Sequence, residues 1–125
     1  MNPRRIALYN LTTTVKAGGL ETFNWELGRA LAARGHEVHV YGGEGPLAGS
    51  GPGSVAVYTY PYTDRSRFPD LGTRFRKFLE RLSFARHAIR DLIRRRYDVI
   101  VLSKPYDIPA ALVAARRTGA KVVYD

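Results

Sequence analysis

The sequence predicts an α/β fold, in which a Rossmann-like parallel sheet of five strands carries helices on both faces. Short apolar segments alternate with stretches of helical periodicity in the order β-α-β-β-α-β-α-β. The strand segments are apolar throughout instead of alternating with polar residues, which is typical of a parallel sheet buried on both sides. A chain of 125 residues, 45% of them apolar, is enough for one domain with a substantial core. The expected strand order is 3-2-1-4-5.

The first part of the chain predicts a strand at Ile6–Tyr9, a polar loop over residues 10–19 and an amphipathic helix over residues 20–34. Apolar residues of this helix recur at helical spacing and predict one buried face, made of Leu20, Phe23, Leu27 and Leu31. Trp25 points away from that face and lies either under a neighbouring loop or in solvent. Gly35 is placed to end the helix in the left-handed conformation.

The middle of the chain predicts strands at Val38–Tyr41 and Val55–Tyr60, separated by a mobile loop rich in glycine, proline and serine over residues 42–53. A long helix follows over residues 71–96. Its apolar stripe is predicted to contain Phe75, Phe78, Leu79, Leu82, Ala85, Ile89, Leu92 and Ile93. Phe84 lies on the opposite side of that stripe, so either the helix breaks near Ser83 or the ring is presented among the arginines.

The last part predicts a strand at Asp98–Leu102, a loop at Ser103–Asp107, a helix at Ile108–Thr118 and a strand at Lys121–Tyr124. In parallel sheets of this kind ligands bind beyond the carboxyl ends of the strands. The loops over residues 10–19 and 103–107 both belong to that edge, so a site is expected between them.

Gly18 and Gly19 stand at the mouth of a helix that follows a strand. The first N–H groups of a helix lack partners within it, and the helix dipole adds partial positive charge, so the position suits a phosphate. Other predicted ligand contacts are Lys16, Thr14, Ser103 and Lys104. The alternative is that the two glycines only form the strand-to-helix turn and that Lys16 is solvated.

The net charge of +9 is concentrated in one segment, because Arg65–Arg96 contains eleven basic and three acidic residues. A basic helix face can attract phosphates of lipid, nucleic acid or substrate. The residues predicted to form a membrane or anion surface are Arg86, Arg90, Arg94 and Arg95. The alternative is an ordinary solvated face.

Several classes of protein are disfavoured by the sequence. The absence of cysteine excludes disulfides and thiolate metal sites, and His36, His39 and His87 lack metal-ligand spacing, so no metal is expected. The dinucleotide fingerprint and the P-loop pattern are both missing. No apolar run approaches the ~20 residues of a membrane span, and no signal peptide is recognisable. A cytoplasmic location is therefore expected.

Five stretches together resemble a known pattern: Gly18-Gly19-Leu20-Glu21, Leu27-Gly28-Arg29-Ala30-Leu31, Arg34-Gly35-His36-Glu37-Val38-His39-Val40, Tyr97-Asp98-Val99-Ile100-Val101 and, after a helix, Gly119-Ala120-Lys121-Val122-Val123. The sequence resembles the N-terminal domain of retaining glycosyltransferases of the GT-B fold, in the family 4 group. A G-G-x-E loop opens the first helix of such domains, and a G-H-x-V turn leads into the second strand. The chain is thus expected to be one half of a GT-B fold.

The resemblance implies a carbohydrate-synthesising enzyme whose two Rossmann-like domains face each other across a cleft. The N-terminal domain holds a sugar or lipid-linked acceptor, and the C-terminal domain holds a nucleotide-diphosphate sugar as the donor. Gly18 and Gly19 would contact the donor phosphates from across the cleft. Residues 1–125 are then expected to be an incomplete domain, inactive alone, whose missing partner is the donor domain. No catalytic residue is named, and no cofactor is expected on this chain alone.

Two further expectations concern partners. The resemblance, with the basic helix, implies a peripheral location at the inner face of the membrane on anionic lipid. The competing function is a stand-alone Rossmann-like module that binds phosphate or nucleic acid without catalysis. Nucleic acid is not an expected partner, because no known nucleic-acid motif is present.

Overall fold

The computed structural model describes residues 3–49 and 51–124 of the chain. In this part five strands form one sheet in the order β3-β2-β1-β4-β5, and every neighbouring pair is parallel. The strands are β1 (Arg5–Tyr9), β2 (Glu37–Gly43), β3 (Ala56–Tyr60), β4 (Val99–Leu102) and β5 (Lys121–Tyr124). The predicted fold class and strand order are confirmed.

Three helices connect the strands: α1 (Gly19–Ala33), α2 (Thr73–Arg94) and α3 (Ile108–Thr118). Short 3-10 turns occur at Leu11–Thr14, Arg65–Arg67 and Pro105–Asp107. Gly35 and Gly119 follow α1 and α3 with φ angles of 93° and 79°, which is the left-handed conformation predicted for Gly35. None of the helices in the described ranges has the length and apolar composition of a membrane span.

The face of the sheet covered by α1 has an aliphatic core made of Ile6, Leu8, Val38, Val40 and Val55, and Leu27 and Leu31 of α1 pack against it. Gly28 allows the close approach, since a Cβ there would lie 3.3 Å from Leu8. The prediction that Phe23 is buried was wrong, because its side chain is 47% exposed. The N-terminal half of α1 instead buries Glu21 and Asn24 against the polar loop after β1. Trp25 packs beneath the loop at Gly51.

The opposite face is aromatic and is covered by α2 and α3. Phe84 is fully buried in an unbroken α2, with its ring centroid 5.1 Å from that of Tyr9, so both predicted alternatives for this residue were wrong. The buried side of α2 consists of Glu80, Arg81, Phe84, Ala85, Ala88 and Leu92. The predicted stripe was displaced around the helix because two charged residues are buried, while Phe75 and Leu82 are exposed.

Candidate functional site

A cavity of about 330 Å³ opens at the carboxyl edge of the sheet. Its walls come from the loop after β1, the first turn of α1, the chain before and within α2, and the loop after β4. We call it the basic pocket, because its lining includes the five basic side chains Lys16, Arg65, Lys77, Arg81 and Lys104. The remaining lining residues include Gly18, Gly19, Glu21 and Tyr106. The cavity lies between the two loops at which the sequence predicted a site.

The two glycines of the pocket differ in what the protein itself demands of them. Gly18 is extended, with φ 173°, and a Cβ there would come within 2.5 Å of the Glu21 carboxylate. Gly19 is exposed at the first position of α1, and a Cβ there would meet nothing within 4 Å. Neither residue has the left-handed φ that favours glycine. Packing against Glu21 therefore accounts for the glycine at position 18. At position 19 neither packing nor backbone conformation requires a glycine.

A buried polar network supports the floor of the pocket. The Asn10 amide donates to the hydroxyls of Thr12 and Thr13 at 3.1 and 3.0 Å. Thr12 donates to the Glu21 carboxylate at 2.8 Å, and Asn24 donates to Thr13 at 3.2 Å. These bonds join the loop after β1 to the first two turns of α1, so that the position of the glycines is fixed by side chains that lie beneath them.

The same network continues into α2 and the loop after β4 through Arg81. One guanidinium nitrogen, Nη1, donates both to Asn10 at 2.9 Å and to the Asp107 carboxylate at 2.7 Å. Burial raises the pKa of Asp107 to about 6, although the charge of Arg81 opposes the increase. Asn10, Arg81 and Asp107 were not predicted from the sequence as site residues. No local signal marks them, since the residues of the pair are 26 positions apart and meet only in the folded chain.

The basic side chains of the pocket fall into two groups by their pairing. Arg65 pairs with the buried Glu80 at 3.1 Å, and Arg81 pairs with Asp107. Lys16, Lys77 and Lys104 form no ion pair with any residue in 3–49 or 51–124. These three ammonium groups outnumber Glu21, the one acidic side chain in the lining, and they lie beside a helix N-terminus without a side-chain cap, so the pocket favours an anionic ligand.

Of the predicted ligand contacts, Lys16, Gly18, Gly19 and Lys104 meet in the basic pocket. Thr14 was a wrong prediction, because it is fully buried and its hydroxyl donates to the carbonyl of Gly43. Thr14 also packs on Gly42, and β2 extends through both glycines, which the sequence assigned to a loop. Ser103 lies outside the pocket lining, with its hydroxyl 3.5 Å from the Asn24 amide oxygen.

The predicted anion surface is smaller than expected. Arg86, Arg90 and Arg94 are exposed on α2, and Arg94 pairs with Asp91 at 3.0 Å. Arg95 does not belong to this surface. Its guanidinium stacks 3.6 Å from the ring centroid of Tyr58 and donates to the hydroxyls of Tyr41 and Tyr60 at 3.0 and 3.1 Å, which fixes it inside the aromatic layer. We call the remaining three residues the α2 arginines.

Comparison with known proteins gives a family and a fold. The family model described as Glycosyltransferase Family 4 matches residues 17–124. No curated protein sequence matches the chain. Among solved structures, the chain is similar to CalG4, the calicheamicin glycosyltransferase, at 23% identity and a TM-score of 0.70. That match covers 99% of this chain and 30% of the other.

A second solved structure has the same fold in a different setting. The chain is similar to the C-terminal domain of a hydrogenase from Pyrococcus furiosus, at 14% identity and a TM-score of 0.59, over 98% of this chain and 91% of that one. At such identities the two structural matches establish the Rossmann-like fold alone. The family assignment depends on the match over residues 17–124.

Proposed function

This chain belongs to Glycosyltransferase Family 4, and we propose that it is the acceptor-side domain of a retaining glycosyltransferase that uses a nucleotide-diphosphate sugar. The donor is carried by a second domain, and its phosphates reach the basic pocket across the cleft between the domains. The chain spans 30% of the glycosyltransferase structure that it matches. The activity therefore belongs to the whole enzyme, with the donor domain as partner.

The observation that carries the proposal is the empty space at Gly19. Apart from its chain neighbours and the backbone of its own helix, a Cβ at this position would meet no atom within 4 Å, and Gly19 lines the pocket. Because neither packing nor φ requires glycine there, a ligand that approaches the backbone closely accounts for the missing side chain. A donor phosphate is such a ligand, since it accepts hydrogen bonds from the free N–H groups of the first turn.

The charges of the pocket supply the rest of the donor contact. Lys16 lies on the same loop as Gly18 and Gly19 and has no carboxylate partner in the described residues. During transfer, negative charge develops on the diphosphate as the bond to the sugar breaks. A fixed helix N-terminus and a lysine beside it stabilise that charge without reorganisation. The role of these groups is to hold and stabilise the leaving group, while proton transfer is not assigned to any residue of this chain.

The proposal is tested with the enzyme as its source cells produce it, in a transfer assay with a panel of nucleotide sugars. Gly19→Ala is expected to raise the KM for the donor or lower kcat by at least about tenfold, because the methyl group occupies the space of a phosphate oxygen. The melting temperature is expected to stay unchanged. Gly53→Ala is the matched control, since Gly53 also has empty space at its Cβ but lies outside the pocket.

Unchanged kinetics in Gly19→Ala would overturn the placement of the donor phosphates. Absence of sugar transfer with every nucleotide sugar, combined with retained binding of inorganic phosphate, would instead favour a phosphate-binding module without catalysis. The fold itself does not decide between the two functions, because the same architecture also occurs in a domain of a hydrogenase.

A further inference from the structure

We propose that the acceptor of this transferase carries a phosphate group, which binds to Lys77 and Lys104 on the wall of the basic pocket formed by α2 and the loop after β4. The inference extends the proposed function, because it assigns the part of the pocket that the donor phosphates do not use. Gly18, Gly19 and Lys16 belong to the loop after β1, whereas Lys77 and Lys104 come from separate elements.

The charge balance of this wall is the first argument. It contains four basic side chains, and the two arginines are already matched by the buried carboxylates of Glu80 and Asp107. The ammonium groups of Lys77 and Lys104 have no ion-pair partner in residues 3–49 or 51–124. The charge of Lys104 also lowers the pKa of Asp107, but that carboxylate is bonded to Arg81. Two positive charges outside the ion pairs match the charge of a phosphate monoester, and lysine binds phosphate as a point charge.

The kinds of hydrogen-bonding group in the pocket are the second argument. Hydroxyl groups of a neutral sugar need acceptors as well as donors, and carboxylates and amides are the usual acceptors. Glu21 is the one carboxylate in the pocket lining, and one of its two oxygens, Oε2, accepts from Thr12. The side-chain amides of Asn10 and Asn24 are buried in the network beneath. The surface is therefore rich in donors, which suits an acceptor with an anionic oxygen group.

The two lysines also lie on elements that the Arg81–Asp107 ion pair holds together. Lys77 precedes Arg81 by one helical turn, so the two share a face of α2. Lys104 precedes the turn at Pro105–Asp107, and its carbonyl accepts from the N–H of Asp107 at 3.2 Å. The Arg81–Asp107 ion pair joins these two elements at 2.7 Å. The lysine backbones are thus held in a fixed relation, as a specific phosphate site requires.

The test measures binding of inorganic phosphate and of glucose 6-phosphate to the protein by calorimetry, with glucose as the uncharged probe. The variant Lys77→Ala/Lys104→Ala is expected to lower the affinity for both phosphates at least about tenfold and to leave the melting temperature unchanged, because neither lysine side chain forms an ion pair within residues 3–49 and 51–124. The variant Lys77→Arg/Lys104→Arg retains the charges and is expected to restore most of the binding. Arg86→Ala, on the same helix outside the pocket, is the control.

In the transfer assay the double alanine variant is expected to raise the KM for the acceptor and to leave the KM for the donor unchanged, whereas Gly19→Ala has the opposite pattern. Phosphate affinity that is equal in wild type and double variant overturns the inference and leaves the donor placement standing. If Gly19→Ala has no effect while the double variant loses phosphate, the donor placement fails and the phosphate subsite stands. A second arm measures binding to phosphatidylinositol vesicles. If the double alanine variant binds the vesicles more weakly than wild type, and wild type does not bind glucose 6-phosphate, the phosphate is that of a lipid headgroup.

Discussion

The basic pocket takes three of its five basic residues, and the α2 arginines take all of theirs, from the segment Arg65–Arg96, but the two regions use this charge differently. Lys77 and Arg81 face the pocket, where the chain is concave and backbone N–H groups are free. Arg86, Arg90 and Arg94 lie one turn apart along a convex, exposed stripe of α2. A run of basic residues in the sequence therefore does not by itself specify a ligand or the side of the helix on which a ligand binds. The position of each residue around the helix and the presence of a carboxylate partner decide which charges remain available.

Pairing separates the two regions further. In the pocket the two arginines are held by buried carboxylates, and the lysines are left available. On the α2 stripe Arg94 pairs with Asp91, which is itself bonded to the hydroxyl of Tyr60. A charge with a buried partner acts chiefly in folding, whereas an exposed charge contributes little to stability and remains available for long-range attraction.

The largest expected effect comes from breaking the buried pair beneath the pocket. Arg81→Met leaves the carboxylate of Asp107 and the amide oxygen of Asn10 without their donor. Loss of one partner of a buried ion pair costs roughly 3–5 kcal/mol, so the free energy of unfolding in urea is expected to fall by about that amount. Arg94→Ala, which breaks an exposed pair on the same helix, is expected to cost less than about 1 kcal/mol. Equal losses in the two variants would contradict the distinction.

The α2 arginines are expected to act at a distance on an anionic surface. Each basic residue near an anionic membrane contributes on the order of 1 kcal/mol, so Arg86→Glu/Arg90→Glu/Arg94→Glu is expected to reduce binding to anionic vesicles by at least about a hundredfold. Sedimentation with the vesicles measures the effect. The matched control is Arg4→Glu/Arg34→Glu/Arg117→Glu, which changes the net charge equally at exposed positions outside both the stripe and the pocket. If the two triple variants lose the same amount of binding, net charge alone accounts for it and the stripe has no special role.

A moderate effect is expected at Arg95, which the sequence grouped with the surface arginines. Arg95→Ala removes the stacking on Tyr58 and the hydrogen bonds to two buried tyrosine hydroxyls. Charged hydrogen bonds of this kind contribute roughly 1.5–3 kcal/mol, so a loss of about 2 kcal/mol in the free energy of unfolding is expected. Arg90→Ala is the control and is expected to stay within about 0.5 kcal/mol of wild type. If Arg95→Ala lowers the free energy of unfolding no more than Arg90→Ala does, Arg95 behaves as a surface residue and the prediction is wrong.

The sequence was sufficient to predict the sheet. Apolar strands separated by helical stretches fix the strand order, and α3 and β5 have the predicted bounds. The pattern also located the edge of the sheet at which Gly19 and Lys104 meet. These features depend on local periodicity and on the general geometry of parallel sheets, and both can be inferred from a single sequence.

The buried polar residues were not predictable in the same way. The buried face of α2 was predicted from its apolar residues alone and was therefore misplaced around the helix. Glu80 and Arg81 belong to that face, because each is paired with a residue distant in sequence. The same reason explains the wrong prediction for Thr14. The sequence placed it among the ligand contacts, but its hydroxyl donates to the carbonyl of Gly43. The placement of a charged or hydroxyl residue depends on whether its partner lies nearby in space, and a single sequence does not contain that information.

The polar network beneath the pocket and the aromatic layer on α2 are also expected to respond to acid in opposite directions. Burial raises the pKa of Asp107 to about 6 from an ordinary value of 3.8, so the folded state holds this proton more tightly and stability from this group increases as the pH falls between those values. Burial lowers the pKa of His39 below its ordinary 6.5, in the layer that contains Arg95 and despite the opposing charge of Glu37. The unfolded state then binds the proton more tightly, and stability from His39 decreases as the pH falls below 6.5.

Urea unfolding from about pH 7 to about pH 4 measures both effects, with Asp107→Asn and His39→Gln as the variants. The wild-type advantage over Asp107→Asn is expected to grow on acidification, and the advantage over His39→Gln is expected to shrink. Parallel profiles for the two variants would show that the pocket floor and the aromatic layer do not differ in their hold on protons.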